Sequence, residues 1–323
     1  MKMKPDVSIV VSTYNRAKTL VSTMDSLLDQ RDFPNYEVVV VDNNSMDETR
    51  ELVCNYAHKS QRVRYVFEKK QGLSYGRNTG ISAAESDLIA FTDDNVRANP
   101  DWVQQIQLAS MERPDYGIFG GRVLPLWPHE PPSWLMKEHW APLALCDYGQ
   151  AQTISSANRK TLIGANMIIR RSVFDQIGMF SPDYQRVGEG VGSTEDHELQ
   201  NRYWKAGGLG WFDPSIVVKA DVQPERLEKQ YHRRWHFAHG RMLARMRDPM
   251  IEDSTHLIFG IPRYMFRELI SRSCNWVGAI SAGKPDTAFL HETELRFYAG
   301  FIRERLTERR AQGLSASSME GAD

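Results

Sequence analysis

The chain has 323 residues, with 40 Lys and Arg against 41 Asp and Glu, and a formal net charge of -1 at pH 7. That length suits one large α/β domain or two smaller ones with a sizeable core. The balanced charge argues against a nucleic-acid binder, a class that is usually basic, so we expect no nucleic-acid partner. The widely spaced cysteines, and the lack of a signal-peptide core or a membrane-length apolar run, lead us to expect a cytoplasmic protein.

Short apolar runs alternate with helical spacing along the N-terminal third. The β-branched residues of 8–14, the valines of 38–41 and the alternation in 63–67 predict three strands. Helices are predicted in 18–30, in about 47–55 and in 74–84. Strands that alternate with helices predict an α/β fold with a doubly wound, mostly parallel sheet flanked by helices.

A fourth apolar run, Leu88–Phe91, ends close to two adjacent carboxylates, Asp93 and Asp94. In open α/β sheets ligands bind beyond the carboxyl ends of strands, so both acids belong to the rim of a cleft. Adjacent carboxylates repel each other unless a cation lies beside them. Mg²⁺ prefers one or two carboxylates together with substrate phosphate oxygens, so the pair predicts a divalent metal site. The alternative is that these residues cap the next helix.

The first two strands also end in polar side chains, Thr13–Arg16 after the first and Asp42–Ser45 after the second. In order and spacing, these pieces, the rim acids and the segment Gly72–Gly80 resemble the nucleotide-binding half of family 2 glycosyltransferases. The resemblance covers residues 6 to about 120 and implies the GT-A fold. It also implies a bound Mn²⁺ or Mg²⁺.

The resemblance assigns roles to individual residues. Asp42 would accept a hydrogen bond from the imide of uracil or thymine. The family usually has two acids at that point, and here Asn43 follows Asp42, so the identity of the base stays open. Asp94 would bind the metal and Asp93 the ribose or the sugar. The implied nucleotide-binding residues are Thr13, Tyr14, Asn15, Arg16, Asp42, Asn43, Arg77 and Asp93.

A second chemical element, Glu195-Asp196, heads a predicted helix, where acids are also favoured simply by the helix dipole. The resemblance implies that Asp196 is the general base and that Glu195 orients it or binds the acceptor. Sugar transfer with inversion needs such a base to take the acceptor hydroxyl proton. The segment Gly188–Gly192 is predicted to be a mobile active-site loop, with Glu189 as the next candidate base.

Two further residues are expected to contribute to the site. Asp221 stands where related enzymes often have a His that contacts metal or phosphate, so it is a second candidate metal ligand. Sugar selectivity is expected from the pocket around Asp93, Trp211 and the loop 188–194. The runs Leu209–Asp213 and Ile216–Val218 are predicted to be two late strands.

The predicted organisation is a GT-A catalytic domain, a helical C-terminal region and a flexible tail. The catalytic domain covers residues 1–223, with a nucleotide-binding half at about 1–120 and an acceptor half at about 121–223. The helical region covers 224–311 and the tail 312–323. Within the helical region, the segment His256–Arg309 is predicted to be a helical pair packed on the catalytic domain or a homodimer interface, with an interfacial helix attracted to anionic lipid as the alternative.

Histidines 232, 236 and 239 have helical spacing, but no Cys or acid partner lies in register for a zinc site. The predicted function is a metal-dependent, inverting glycosyltransferase. It would move a sugar from a nucleoside diphosphate donor, UDP first, to a hydroxyl of a saccharide, lipid-linked or small-molecule acceptor, in single additions.

Two other function classes are considered. A sugar-nucleotide nucleotidyltransferase would need a glycine-rich loop soon after the first strand, and Ser12–Arg16 contains no glycine. A non-catalytic nucleotide-sugar-binding protein would use Glu195-Asp196 only as a helix cap.

Overall fold

The structure is a computed structural model. It describes residues 4–31, 35–158, 160–185, 194–247, 249–252 and 256–320, with residues 249–250 and 311–320 described by backbone alone. The chain divides into two compact units. The sheet unit comprises Met1–His129, Ala144–Gly190 and Glu195–Val222. The helical unit comprises Glu130–Leu143, Val191–Thr194 and Gln223–Asp323.

The sheet unit alternates strands and helices through most of its length. Its elements in chain order are β1 (Val7–Thr13), α1 (Ala17–Leu28), β2 (Tyr36–Asp42), α2 (Thr49–Lys59), β3 (Val63–Phe67), α3 (Leu73–Ala83), β4 (Leu88–Thr92), β5 (Val96–Ala98), α4 (Trp102–Glu112), β6 (Ile118–Leu126), β7 (Gln152–Ile154), β8 (Asn166–Arg170), α5 (Arg171–Ile177), α6 (Glu195–Lys205) and β9 (Gly210–Asp221). Within the described residues, nine strands form one sheet in the order β3-β2-β1-β4-β8-β6-β9-β5, with β7 beside β9.

The sheet is mixed but mostly parallel. Strands β1 to β4 pair in parallel, β8 runs antiparallel between β4 and β6, and β9 is parallel to β6. Every residue of β2 and β4 is buried, as expected for strands covered on both faces. On α1 the buried side chains of Leu20, Met24 and Leu27 follow helical spacing, and each such burial contributes about 1.5–3 kcal/mol. The predicted α/β fold is confirmed.

The register of the central strands brings the predicted rim residues together. Thr13 pairs with Asp42 across β1 and β2. Val11 pairs with Thr92 across β1 and β4, so Asp94, two residues beyond Thr92, lies beside Thr13. At the far end of β9, the Asp221 backbone N–H donates to the carbonyl oxygen of Asn95 at 2.8 Å. Residues from four strands therefore meet at one edge of the sheet.

The helical unit consists mainly of three long helices. Its elements are α7 (Lys229–Met246), α8 (Pro249–Glu252), β10 (Leu257–Ile258), β11 (Ile261–Pro262), α9 (Arg263–Ser281) and α10 (Pro285–Glu320). A β-hairpin, β10–β11, therefore precedes α9. No helix in the described part of the chain combines the length and the apolar character that crossing a membrane requires.

Helices α7 and α10 cross at two glycines. A Cβ on Gly240 would collide with the carbonyl oxygen of Phe297, and a Cβ on Gly300 with that of Phe237. The two backbones are therefore closer at this crossing than any residue with a side chain would allow. A small apolar core that includes Ile261, Met265 and Phe301 joins the hairpin to α9 and α10.

Candidate active site

A hydrogen bond joins the ends of β1 and β4 at the rim. The Thr13 hydroxyl donates to Asp94 Oδ2 at 2.8 Å. Thr13 is almost fully buried, whereas the Asp93 side chain beside Asp94 is 37% exposed. The bond fixes the Asp94 carboxylate at the cleft edge while the neighbouring acid stays open to solvent.

The Asp42 carboxylate is buried at the end of β2 and is held by two donors. The Ser45 backbone N–H donates to Oδ1 at 2.8 Å, and the Tyr65 hydroxyl donates to Oδ2 at 2.9 Å. Burial and then this hydrogen bond to Asp42 raise the pKa of Tyr65 to about 12, so Tyr65 remains a proton donor at neutral pH. Each carboxylate oxygen has a second acceptor position, so Asp42 can still accept a hydrogen bond from a ligand.

Two amide side chains near Asp42 connect loops of the rim. Asn43 donates to the Lys70 carbonyl oxygen at 2.7 Å and accepts from the Gly72 backbone N–H at 2.7 Å, which fixes the approach to α3. Asn15 adopts a left-handed φ of 52° and accepts from the Met46 backbone N–H at 2.7 Å. Both amides thus shape the rim through the backbone.

The remaining predicted nucleotide residues also lie at this rim. Tyr14 and Arg16 flank Asn15 between β1 and α1, both half-buried, and Arg16 precedes the first turn of α1. Their position after a parallel strand fits contact with a bound ligand.

Arg77 is buried on α3. Its Nη1 lies 2.6 Å from Glu195 Oε1, and its Nη2 lies 3.8 Å from Asp93 Oδ1. The guanidinium also lies 5.3 Å from the ring centre of Phe180. A Cβ on Gly164 would overlap this guanidinium, so any other residue at position 164 would displace the Arg77 side chain. Arg77 therefore connects a rim acid to the first residue of α6.

Asp196 is held at the start of α6 by backbone donors. The Gly164 N–H donates to Oδ2 at 3.0 Å, and the N–H of His197 donates to Oδ1 at 2.8 Å. These two bonds orient the carboxylate, which is half-buried and reachable from solvent. Sequence reasoning gave no indication of Gly164 as a partner, because its loop is remote from α6 in the chain.

Asp221 lies next to the rim acids, and its carboxylate forms an ion pair with Arg97. Besides the backbone bonds to Asn95, its carboxylate oxygens lie 3.1 and 3.3 Å from Arg97 Nη2. The pair is partly exposed, so it contributes little to stability and can exchange partners.

The rim is chemically suited to a divalent cation that arrives with a diphosphate. Asp93 and Asp94 are adjacent hard oxygen donors, and Mg²⁺ needs only one or two protein carboxylates when phosphate oxygens supply the rest. Among the described residues, no three His, Cys, Asp or Glu side chains are grouped to hold a metal by themselves. The donor set therefore fits a metal shared with its substrate better than a permanent structural metal.

The prediction of two late strands is wrong. The two predicted late strands form one strand, β9, and Trp211 lies at its beginning while Asp221 lies at its rim end. Trp211 packs against the Tyr116 ring and beneath the Arg113 guanidinium. The predicted loop segment 188–193, with Glu189, lies outside the described residues.

Two histidines of α7, His232 and His236, are packed among other side chains of the helical unit and do not form a metal site with the described residues. His232 Nε2 lies 3.0 Å from the Arg226 carbonyl oxygen, and its ring contacts Trp134 edge to face. Burial lowers the pKa of His232 to about 4 and that of His236 to about 3, so both are neutral at physiological pH. His232 is fully buried and His236 is half-buried within the helical unit.

This fold and this rim define a glycosyltransferase of the GT-A type, in which a parallel sheet presents acids to a sugar nucleotide. The family model described as Glycosyl transferase family 2 matches residues 8–178, more than half of the chain. The chain therefore belongs to glycosyltransferase family 2, and the resemblance drawn from its motifs is confirmed.

Relatives and solved structures agree with this assignment. A glucosyl-dolichyl phosphate glucuronosyltransferase of Haloferax volcanii is 27% identical over 185 residues, which cover 57% of this chain and 58% of the relative. Validoxylamine A glucosyltransferase of Streptomyces hygroscopicus is 39% identical over 108 residues, 32% of this chain and 25% of the relative. The matches thus span only part of these relatives.

Two solved structures share the fold over almost the whole chain. The mannosyltransferase PcManGT from Pyrobaculum calidifontis, in complex with GDP-Man and Mn²⁺, has a TM-score of 0.59 and 19% identity, covering 94% of this chain and 87% of its own. S. aureus TarS 1-349, in complex with UDP-GlcNAc, has a TM-score of 0.54 and 16% identity, covering 95% and 92%.

Proposed function

We propose that this glycosyltransferase is metal-dependent and inverting, and that it moves a sugar from a nucleoside diphosphate donor to an acceptor hydroxyl in single additions. The observation that carries the proposal is the meeting of Asp94, Asp93, Arg77 and Asp196 along one edge of the sheet. Thr13 binds Asp94, Arg77 lies between Asp93 and Glu195, and Asp196 follows Glu195 in the chain, so the proposed donor and acceptor residues are neighbours.

Donor binding is assigned to the ends of β1, β2 and β4. Asp42 would accept the imide N–H of the base, and its existing donors leave acceptor positions for that bond. UDP is the first choice because uracil presents an imide N–H. GDP is the second, because guanine also presents ring N–H and amino donors and the PcManGT complex holds GDP-Man.

The metal site is assigned to Asp94, with Asp93 beside it and Asp221 as a ligand once it leaves Arg97. When bound, a divalent cation would neutralise charge that develops on the departing diphosphate. Thr13 orients Asp94 through its hydroxyl. These residues would bind the nucleotide sugar before transfer. After transfer they would release the nucleoside diphosphate.

Acceptor activation is assigned to Asp196. Its carboxylate would take the hydroxyl proton as the acceptor oxygen attacks the anomeric carbon, from the face opposite the diphosphate. The backbone N–H groups of Gly164 and His197 hold the carboxylate in one orientation. Glu195 acts indirectly, because its bond to Arg77 fixes the start of α6.

The acceptor is proposed to be a saccharide, a lipid-linked saccharide or a small hydroxylated molecule. The relatives support this range: one is named for a glucosyl-dolichyl phosphate acceptor and one for validoxylamine A. The single-addition mode rests on the sequence alone, which contains no complete motif of the processive synthases.

The test is a comparison of UDP, dTDP, GDP and CDP as stabilising ligands, each with and without Mn²⁺, followed by donor hydrolysis. A ligand at about 100 times its dissociation constant stabilises by about 2.7 kcal/mol, which is readable as a melting shift. We expect UDP with Mn²⁺ to give the largest melting shift, and UDP-sugars to be the donors that are hydrolysed. A largest shift with CDP, or shifts independent of Mn²⁺, would contradict the proposal. Stabilisation without any hydrolysis or transfer would favour a non-catalytic binding protein.

A further inference from the structure

The outward charge of the helical unit has one sign over a long stretch. Between residues 245 and 310, every described residue that is exposed and charged at neutral pH is an Arg or a Lys. The described acids of the same stretch are buried or half-buried. Several are bound to arginines of α7, as in the pairs Arg233–Glu292 and Arg241–Glu304. The most exposed charges of this stretch are therefore cations.

The β10–β11 hairpin adds an apolar tip to this basic surface. Leu257, Ile258 and Phe259 are 52%, 41% and 59% exposed, although all three are large apolar residues. The same hairpin is anchored by Ile261, which is 1% exposed and packs with Met265 of α9. The buried anchor fixes the hairpin so that its tip projects into solvent.

The backbone at the tip is unusual for the residue that occupies it. Phe259 and Gly260 have φ values of 55° and 76°, the paired left-handed conformation of a two-residue hairpin that Asn-Gly favours. A bulky aromatic residue is disfavoured there, and backbone strain of this kind points to a functional demand on the side chain. The Phe259 ring lies 4.7 Å from the Arg309 guanidinium, so the tip and the basic surface are continuous.

The first turns of α9 continue the same surface. Exposed side chains at Arg263, Arg267, Ile270 and Val277 have the spacing of one helical stripe. The Arg263 backbone N–H donates to the His256 carbonyl oxygen at 2.9 Å, which ties this stripe to the base of the hairpin. We call the hairpin tip and this stripe the docking face.

We propose that the docking face binds an anionic lipid surface. The apolar tip would enter the headgroup boundary, and the arginines would lie against lipid phosphates. A second copy of the chain is a poor occupant, because it would bring two cationic surfaces together. A nucleic acid is a poor occupant because it offers nothing to Leu257, Ile258 and Phe259. Each arginine near such a membrane strengthens binding about fivefold.

The experiment is sedimentation of the full chain with vesicles of phosphatidylcholine alone, or with about one third phosphatidylglycerol. We expect binding to the anionic vesicles only. Raising the salt from about 0.1 M to about 1 M shortens the Debye length from about 10 Å to about 3 Å and should release the protein.

Two variants separate the tip from the charges. Phe259→Asn should lose most binding while the fold is kept, because Asn-Gly suits this turn. Arg263→Gln with Arg267→Gln should weaken binding about 25-fold, from two cations at about fivefold each. The matched controls alter exposed residues of the sheet unit: Leu108→Ser with Met111→Ser for apolar loss, and Lys59→Gln with Lys205→Gln for charge loss.

Several outcomes would overturn the proposal. Equal binding to both vesicle types, or no binding to either, would exclude an anionic lipid partner. Equal losses in the docking-face variants and their controls would show a general charge effect. A dimer in solution that Phe259→Asn dissociates would identify a second copy as the occupant. Binding to an oligonucleotide but not to vesicles would identify a nucleic acid.

Discussion

Arg77 on α3 and Glu195 at the first residue of α6 form a buried ion pair, with Nη1 and Oε1 2.6 Å apart and side chains 6% and 2% exposed. The two residues are 118 positions apart in the chain. A buried charge is tolerated only when it is paired and hydrogen-bonded. The pair therefore holds the helix that carries Asp196 in a fixed relation to Asp93, which also approaches Arg77.

The first prediction concerns this pair. Arg77→Met should lower the free energy of unfolding by about 3–5 kcal/mol, because it leaves Glu195 charged and unpaired by Arg77 in the interior. Urea unfolding of the variant and parent measures the loss. The double variant with Glu195→Gln should recover part of it, because residue 195 then no longer carries the charge that Arg77 balances.

The matched control for that variant is Arg97→Met, which breaks the partly exposed pair with Asp221. It should cost no more than about 1 kcal/mol. Equal losses in the two single variants would mean that burial does not decide the strength of the Arg77 pair.

The second prediction concerns the metal. Asp94→Asn should remove most of the Mn²⁺-dependent part of donor stabilisation while the fold remains, because Asn can still accept the Thr13 hydroxyl. The measurement is the melting shift caused by UDP with and without Mn²⁺. Asp175→Asn, at an exposed acid of α5, serves as the control and should behave like the parent. A full Mn²⁺ effect in Asp94→Asn would leave the acid with only a structural role.

The third prediction concerns proton transfer. Asp196→Asn should slow sugar transfer by about 10²–10⁴-fold at saturating donor. The same change should cost about 1–3 kcal/mol of stability, because both carboxylate oxygens accept backbone N–H groups and an amide can satisfy only one. The transfer rate and the melting temperature are both measured for the parent and for each variant. Glu195→Gln is the comparison, and transfer at the parental rate in Asp196→Asn would assign the base to another residue.

The fourth prediction concerns acid stability. The pKa of His236 is lowered to about 3 and the unfolded value is about 6.5, so the unfolded chain binds more protons between these limits. Stability contributed by neutral His236 is therefore complete above about pH 6.5 and is lost as the pH falls toward 3. His236→Phe should reduce the slope of unfolding free energy against pH by up to about 1.4 kcal/mol per unit in this window.

Urea unfolding at about pH 7, pH 5 and pH 4 measures that slope. His58→Gln, at an exposed histidine of α2, should leave it unchanged. An unchanged slope in His236→Phe would mean that other groups, such as the buried His232 with its pKa lowered to about 4, account for the acid sensitivity.

Local sequence was sufficient to predict which residues lie at the carboxyl ends of the first, second and fourth strands. Apolar runs that end in polar residues mark strand ends, and parallel strands place those ends along one edge. Thr13, Asp42 and Asp94 could therefore be assigned to a common cleft without coordinates, and the fold confirms the strand arrangement.

Partners across long sequence distances could not be predicted. The sequence around Arg77 does not indicate that Glu195 is its partner, because the pairing depends on how α3 and α6 pack. The late strands were misassigned for a related reason. The polar stretch after Trp211 was read as a break between strands, whereas β9 continues through an irregular register. Trp211 and Asp221 pair with Phe119 and Leu126 of β6, which are seven residues and about 23 Å apart.

The glycine crossing of α7 and α10 determines how the helical unit is aligned along its axis. Two arginines one turn apart on α7, Arg241 and Arg245, both bind Glu304 of α10, so a slip of one turn would still leave Glu304 beside one of them. Such a slip would place side chains where Gly240 and Gly300 now allow backbone contact. Charge attraction favours association of the two helices. The close backbone contact at Gly240 and Gly300 is possible in only one of the alignments that the charges alone would allow.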